Sequence, residues 1–349
     1  MNNRRTSSGT SELVANLPLS TIASDASVLY TLRRFTRYMG STFADKKDFI
    51  AVLDMLTTID CKASGGTALT VINGGLNDCL FASQMLKLCP GLTIHGFEVA
   101  RSNADSCRIA LSTYRGARVH NQGMSRGRGT ARLIFDCASD KSCSNSSQGG
   151  AMTGIVLGEL QKQHEQSSGT EVPTIGLLQF AEQQQLQRAH FTLIDTEGHE
   201  PEVLRGMHLS RALGPATFGA IQFEISGFWI DPARRAWRSN SSQLAAAWFT
   251  QANHLNRAGY RLFMIGGTSR CKVTSHDHYS CRGKATYLPV TPGFFEQLGP
   301  IYERHSKGRL FQGGQTRVGF PPTFNVLAMH TRHADPAIQV FVQSRVMSL

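Results

Sequence analysis

The stretch FTLIDTEGHEPEVLRGM (191–207) holds a dense group of potentially catalytic side chains. Asp195, Glu197 and His199 occupy every second position there, and Glu200 follows directly. Carboxylates and imidazoles are groups that can take a proton from a hydroxyl at neutral pH, so the first three are candidate catalytic residues. The same acids at a helix start can instead act only as helix caps, because negative charge is favourable there.

A buried strand leads into this group of side chains, and a helix follows it. Residues 191–194 are almost continuously apolar, which is typical of a strand covered on both faces. Gly198 permits a turn, Pro201 suits a first helical position, and apolar residues then follow at helical spacing. Asp195 is therefore expected at the carboxyl tip of a strand, where open α/β sheets bind their ligands.

Polar residues end other predicted strands as well. In TVINGGLNDCLF (70–81), Asn73 and Gly75 come at the end of the first strand, and Glu98 ends the second, 23 residues after Gly75. An acid about 20 residues after such a glycine turn meets ribose hydroxyls in nucleotide-binding folds. Glu224 ends a later strand in ATFGAIQFEIS (216–226). These residues and Asp195 are predicted to share one edge of the sheet, which is the candidate site.

Strands alternate with helices from residue 67 onward. This rhythm predicts an α/β fold with a mainly parallel, doubly wound sheet and right-handed crossovers. Residues 1–60 are predicted to form a disordered start and a helical lead-in, and residues 61–265 the α/β domain. Residues 138–170 are rich in Ser, Gly and Gln, which predicts a surface insertion with a short helical piece. Residues 266–349 are expected to form an irregular C-terminal appendage.

The chain is strongly basic, with 36 Lys and Arg against 25 Asp and Glu and a net charge of +11. The basic residues are scattered, so a generally basic surface is favoured and no nucleic-acid partner is expected, although a nucleic-acid-directed protein stays open as an alternative. No apolar stretch is long enough to span a membrane. The start of the chain lacks the apolar core of a signal peptide, so a soluble and cytoplasmic protein is expected.

The eight cysteines are too few for a disulfide scaffold of this length. Cys137 with Cys143, and Cys271 with Cys281, are close enough in sequence to bridge in an oxidising compartment. The segment 271–281 also holds two histidines, which leaves a zinc site open, but its spacing matches no established metal motif and no metal is expected. Three further cysteines lie among apolar residues and are predicted to be free buried thiols: Cys79, Cys89 and Cys107.

The stretch LIDTEGHEPEVLRGM (193–207) resembles the signature of the FkbM-type methyltransferases. That signature is a hydrophobic-Lys-Ile-Asp-x-Glu-Gly-x-Glu run that continues to Leu-x-Gly, and Leu193 stands where Lys is usual. Seven positions match it: Ile194, Asp195, Glu197, Gly198, Glu200, Leu204 and Gly206.

Weaker resemblances lie upstream, and the similarity as a whole covers about residues 67–265. NGGLNDC (73–79) resembles the family's Asp-x-Gly-x-Asn-x-Gly turn. Gly75 and Asn77 match this turn, whereas Asn73 replaces the acid and Cys79 the last glycine. In HGFEVARSN (95–103) and NQGMS (121–125), the matching residues are Glu98, at a strand end, and Ser125, near the adenine.

The resemblance implies a Rossmann-like class I methyltransferase that uses S-adenosyl-L-methionine and methylates a hydroxyl oxygen. Glycans, lipids and small natural products are the acceptor classes it implies. His199 can equally be a solvated residue at the helix start. Because Asn73 and Cys79 depart from the turn, a non-catalytic binding protein or pseudoenzyme of the same fold stays open. The expected cofactor residues are Asn73, Gly75, Asn77, Glu98, Ser125 and Asp195, the expected catalytic residues are Asp195, Glu197 and His199, and Glu200 and Glu224 are expected to contact the acceptor.

Overall fold

The structure is a computed structural model of the chain, and it describes residues 47–135, 153–156, 170–196, 198–225, 241–275, 278–298 and 324–346. Glu197 lies outside the described residues, as does most of the predicted N-terminal lead-in. The pair Cys137 and Cys143 also lies outside them, as does one histidine of the segment 271–281.

Twelve strands are described. In chain order they are β1 (Thr70–Gly74), β2 (Thr93–Phe97), β3 (Ala117–His120), β4 (Gly123–Ser125), β5 (Gly129–Phe135), β6 (Thr153–Val156), β7 (Thr170–Gly176), β8 (Phe191–Ile194), β9 (Ala220–Ile225), β10 (Tyr260–Ser275), β11 (His278–Val290) and β12 (Phe324–His330).

The helices surround these strands, and residues 292–298 form a further helical segment. In chain order the helices are α1 (Lys47–Thr58), α2 (Leu80–Leu88), α3 (Arg101–Ala110), α4 (Leu177–Gln183), α5 (Glu200–Gly206), α6 (Leu213–Thr217), α7 (Ser241–Arg257) and α8 (Pro336–Ser344). No helix in the described ranges combines the length and the apolar character needed to cross a membrane.

Eight strands form the central sheet, in the order β11-β10-β12-β9-β8-β1-β2-β3. Five adjacent strands of this sheet are parallel to their neighbours: β9, β8, β1, β2 and β3. β12 is antiparallel to both β9 and β10 and lies between them. This order confirms the predicted mainly parallel α/β sheet, and it is the arrangement of the Rossmann-like class I methyltransferases.

The central sheet is covered on both faces, as its apolar strands predict. Val71 belongs to one buried core and the adjacent Ile72 to another, because successive side chains of a strand point to opposite faces. All four residues of β8 are buried, which places its carboxyl tip directly after a fully enclosed segment. Polar residues can therefore meet a ligand only where these strands end.

A second, smaller sheet holds four strands in the order β4-β7-β5-β6. β5 and β6 pair with each other in an antiparallel arrangement. Of the predicted surface insertion (138–170), residues 138–152 and 157–169 lie outside the described residues, and residues 153–156 form β6. Its pairing partner lies about 20 residues earlier, so the local composition did not reveal it.

The prediction of an irregular C-terminal appendage is wrong for the described residues. β10 and β11 form a long hairpin, and β12 completes the middle of the central sheet. Phe341 of α8 is buried in the same core as Val71 of β1. The turn-rich composition hid β12, because its stability comes from pairing with β9 and β10, which lie far from it in the sequence.

One cysteine prediction is also wrong. Cys89 is bonded to Cys61 with a Cα–Cα distance of 5.5 Å, and the two residues are 28 positions apart. Cys79 and Cys107 are free and buried, as predicted. Cys271 and Cys281 are direct register partners across the β10–β11 hairpin.

Candidate functional site

The turn after β1 lies between the tips of β2 and β8. The backbone N–H groups of Gly75 and Leu76 both donate to the carbonyl oxygen of Phe97, at 3.1 Å. On the other side, the N–H of Asp195 donates to the carbonyl oxygen of Gly74 at 3.1 Å. Gly75 adopts φ +85°, a left-handed conformation that favours glycine. The three strand tips are thus joined by backbone hydrogen bonds, as the predicted shared edge requires.

Glu98 holds the start of two helices together at the tip of β2. Its Oε2 accepts from the N–H of Asn77 and its Oε1 from the N–H of Ala100, both at 2.8 Å. Burial raises the pKa of Glu98, while these backbone hydrogen bonds oppose the rise. The N–H of Val99 also hydrogen-bonds to this carboxylate, so three of its four acceptor positions are used and one remains for a further donor.

The sequence did not single out Asn121, which fixes the backbone around Glu98. Its Nδ2 donates to the carbonyl oxygens of Glu98 and Val99, at 2.9 and 3.1 Å. Asn121 follows directly on β3, so its position as a polar residue at a strand end was a usable signal. Glu98 is therefore held through both its side chain and its backbone.

Glu200 stabilises the loop that follows β8. Its Oε1 accepts from the N–H of Thr196 at 2.7 Å, from the Thr196 hydroxyl at 3.0 Å, and from the N–H of Gly198 at 3.3 Å. Its Oε2 is buried without a hydrogen-bond partner. Burial raises the pKa of Glu200 to about 7, and the nearby charge of Asp195 raises it as well.

The Glu200 side chain is completely buried, which contradicts the expectation that it contacts the acceptor. The carboxylate faces the backbone of its own loop instead. The sequence pattern shows an acid at a helix start, but it does not show that the acid turns back toward residues 196–198.

His199 and Ser125 form a buried pair. The Nε2 atom of His199 lies 3.2 Å from the Oγ of Ser125, and the two residues are 74 positions apart. Burial lowers the pKa of His199 to about 4, so the imidazole is neutral at pH 7. The alternative of a solvated residue at the helix start is wrong, since His199 is only 3% exposed. The pair connects β4 with the start of α5.

Asp195 is accessible, and its backbone lies directly beside the β1 turn. Among the described acids of this edge, Glu98 and Glu200 are buried, whereas Asp195 and Glu224 are half-buried. Glu224 lies on β9, the strand next to β8, and Asn325 of β12 is its register partner. Asn73 is buried within β1. In the described part of the chain, no group of three or more His, Cys, Asp and Glu residues is placed to hold a metal ion.

Comparison with known proteins places a family match over the same part of the chain. The profile of the family described as "Methyltransferase FkbM domain" matches residues 74–262, which is more than half of the chain. The match begins at the β1 turn and includes the tips of β2, β8 and β9. No curated protein sequence matches the chain.

Solved structures of several methyltransferases resemble the chain remotely. A precorrin-6y C5,15-methyltransferase from Geobacter metallireducens is 8% identical, with a TM-score of 0.33 and coverage of 79% of this chain and 85% of that one. An O-methyltransferase from Bacillus cereus in complex with SAH is 13% identical, with a TM-score of 0.30 and coverage of 80% and 96%. A sugar N-methyltransferase from a Streptoalloteichus species is 10% identical, with a TM-score of 0.28 and coverage of 86% and 92%. The assignment therefore rests on the family match and the strand order.

Proposed function

Because the chain belongs to the FkbM methyltransferase family, we propose that it transfers the methyl group of S-adenosyl-L-methionine to a hydroxyl oxygen. The acceptor we propose is a hydroxylated glycan, lipid or small molecule. Membership of the family supports methyl transfer, and the arrangement of Asp195 beside the β1 turn supports the hydroxyl acceptor.

The residues at the sheet edge fit the proposed cofactor. S-adenosyl-L-methionine supplies a methyl group already activated on a sulfonium. The remaining acceptor position on the Glu98 carboxylate suits a ribose hydroxyl. Gly75 and Asn77 are exposed at the turn, so a ligand can approach their backbone closely. Asn73 would bind the amino-acid end through its amide.

The observation that carries the proposal is the contact between Asp195 and the β1 turn. The N–H of Asp195 donates to Gly74, so the acid proposed for the acceptor lies next to the turn proposed for the cofactor. The Asp195 carboxylate can accept a hydrogen bond from an acceptor hydroxyl and take up its proton as the oxygen is methylated. Holding the hydroxyl in line with the methyl group is the larger part of the catalysis we propose.

His199 and Glu200 act in this scheme as positioning residues. A neutral imidazole with a pKa of about 4 is a weak base at pH 7, and its Nε2 already contacts Ser125. Glu200 holds the backbone at Thr196 and Gly198, directly after Asp195. Both therefore fix the loop that presents Asp195.

Methyl transfer to a panel of sugars, hydroxylated lipids and phenols tests the proposal, with release of S-adenosylhomocysteine as the readout. Asp195→Asn should lower turnover by at least about tenfold, or roughly 1.4 kcal/mol in the barrier, with the melting temperature nearly unchanged. Where no acceptor is found, slow hydrolysis of the cofactor serves as the readout.

Asp105→Asn is the matched control for this experiment. Asp105 is exposed on α3, where it pairs with Arg108, and it lies outside the proposed site. Its replacement should leave turnover unchanged. Equal losses from both substitutions, or none from Asp195→Asn, would refute the role assigned to Asp195.

One observation favours a second function, that of a non-catalytic binding protein. Asn73 stands where the family's turn has an acid, and an amide lacks the charge that would pair with the cofactor's ammonium group. That reading predicts saturable binding of the cofactor with no methyl transfer to any acceptor and no hydrolysis.

A further inference from the structure

Two free thiols meet beneath the β1 turn. Cys79 directly precedes α2 and Cys107 lies in α3, and their exposed fractions are 4% and 0%. The two side chains lie in contact with each other. The Sγ of Cys107 also donates to the carbonyl oxygen of Asn77 at 3.6 Å. The thiol pair is thus attached to the turn through both the side chain and the backbone.

The turn above these thiols is the one that faces Glu98. The N–H of Asn77 donates to Glu98, and Asn77 and Cys79 both have left-handed backbones, with φ values of 49° and 54°. Such a conformation costs roughly 1–2 kcal/mol for a residue other than glycine. Cysteine is therefore a poor choice for the backbone at position 79, but it brings a thiol against Cys107.

We propose that Cys79 and Cys107 form a reversible disulfide, and that this modification weakens binding of the cofactor. The effect on binding rests on the proposed function, whereas formation of the bond does not. The Cys61–Cys89 disulfide already fixes the far end of α2, so the second bond would fix both ends of that helix.

Hydrogen peroxide is an oxidant of the right class. The Cys79 thiolate attacks one peroxide oxygen, the O–O bond breaks, and a sulfenic acid and hydroxide are formed. The hydroxide takes up the proton that the Cys79 thiol released and becomes water. Cys107 then attacks the sulfur of Cys79, the S–S bond forms, and the sulfenic oxygen leaves as a second water with the proton of the Cys107 thiol. The interaction between the two side chains lowers the pKa of Cys79 and raises that of Cys107, which makes Cys79 the first to react.

The bond should disturb the turn for two reasons. To form the bond, the two sulfur atoms must approach each other to about 2.05 Å, and this movement displaces the adjacent parts of α2 and α3. A disulfide sulfur also carries no proton, so the carbonyl of Asn77 loses its donor from Cys107. Since Asn77 holds Glu98 through its N–H, the carboxylate proposed for the ribose is displaced too.

The test treats the reduced full-length chain with hydrogen peroxide, maps disulfides by mass spectrometry, and titrates the product with S-adenosylhomocysteine. A peptide linking Cys79 to Cys107, about 2 Da lighter than the two thiol peptides, is expected. Affinity should fall at least tenfold and return after dithiothreitol. Cys107→Ser keeps a donor for Asn77 and should show neither the crosslink nor the loss.

Should Cys107→Ser not fold, Cys79→Gly provides a second variant, because glycine suits the left-handed conformation. It should be insensitive to peroxide as well. Absence of the linked peptide overturns the proposal, and so does a linked peptide with unchanged affinity. The linked peptide can also form in a chain whose reduced form binds no S-adenosylhomocysteine. That result would refute the proposed cofactor binding and its redox control, but it would confirm the disulfide.

Discussion

A Cβ atom at position 75 would lie 2.0 Å from the carbonyl oxygen of Asp195. The turn after β1 and the loop after β8 are therefore in direct backbone contact, with no space for a side chain between them. Because this contact joins the proposed cofactor turn to the proposed acceptor residue, its geometry can be tested by glycine substitution.

Gly75→Ala should destabilise the protein by several kcal/mol, because it combines a backbone clash with an unfavourable positive φ. Cofactor binding should be lost with it. Thermal or denaturant unfolding of the variant gives the change in the free energy of unfolding.

Two other glycines distinguish the backbone clash from the conformational strain as causes of the lost stability. Gly65 has φ +89° but open space around its Cβ position, so Gly65→Ala should cost about 1–2 kcal/mol from strain alone. Gly91 has open space and no positive φ, so Gly91→Ala should be close to neutral. A Gly75→Ala variant no less stable than Gly65→Ala would contradict the contact with Asp195.

Glu98→Ala should weaken binding of S-adenosylhomocysteine by about 1.5–3 kcal/mol, the range for hydrogen bonds to a charged group. This corresponds to roughly 10- to 150-fold in the dissociation constant. The substitution should also reduce stability, because the N–H groups of Asn77 and Ala100 both lose their acceptor. Calorimetric titration and thermal unfolding measure the two effects.

Glu98→Gln should show the same two effects. The amide keeps one oxygen acceptor but places an NH₂ group against one backbone donor, so it should lose binding and stability together. An unchanged dissociation constant in Glu98→Ala would remove Glu98 from the proposed ribose site.

Local patterns predicted the parts of the site that follow directly on a strand. The end of β2 at Glu98 and the end of β8 at Asp195 were readable because an apolar run stops at a polar residue. The contact between His199 and Ser125 was not readable from the sequence. Ser125 belongs to β4 of the smaller sheet, whereas His199 follows β8 of the central sheet and lies 74 positions later. The sequence likewise placed Glu200 at a helix start but could not show its burial.

The same limit explains the errors in the fold. β12 is a buried seven-residue strand, but its place between β9 and β10 depends on pairings with residues 220–225 and 260–264. Cys89 lies among apolar residues as a free thiol would, and only its proximity to Cys61 reveals the disulfide. In each case the deciding partner is distant in the sequence.

Asn73→Asp should strengthen cofactor binding by about 1 kcal/mol, or roughly fivefold, because a charged acceptor forms stronger hydrogen bonds with an ammonium group. Without ligand, the variant should be less stable than the wild type, since residue 73 is buried. Saturating S-adenosylmethionine should therefore raise its melting temperature more than that of the wild type. Equal shifts in both proteins would show that residue 73 does not meet the ammonium group.

Glu200→Gln should change how stability depends on pH. The pKa of Glu200 rises from 4.5 to about 7 on folding. Folding therefore favours the protonated acid, and this contribution is complete below pH 4.5 and lost as the pH rises through 7. Relative to Glu200→Gln, the wild type should lose about 2–4 kcal/mol between pH 4.5 and 8. Chemical denaturation at several pH values measures the difference.

The titration of His199 does not affect this comparison. Its pKa of about 4 makes both proteins lose stability as the pH falls below 6.5, and that loss cancels in the difference. Glu200→Ala removes the acceptor for Thr196 and Gly198 and should be destabilised at every pH. A difference between wild type and Glu200→Gln that does not vary with pH would contradict the assigned protonation.

The central claim is that this sheet edge binds S-adenosyl-L-methionine for methyl transfer. Calorimetric titration of the reduced full-length chain with S-adenosyl-L-methionine, and with S-adenosylhomocysteine, tests it most directly. The account predicts saturable binding of one molecule per chain for each ligand, weakened at least tenfold by Glu98→Ala. A folded wild-type chain that binds neither ligand would contradict it.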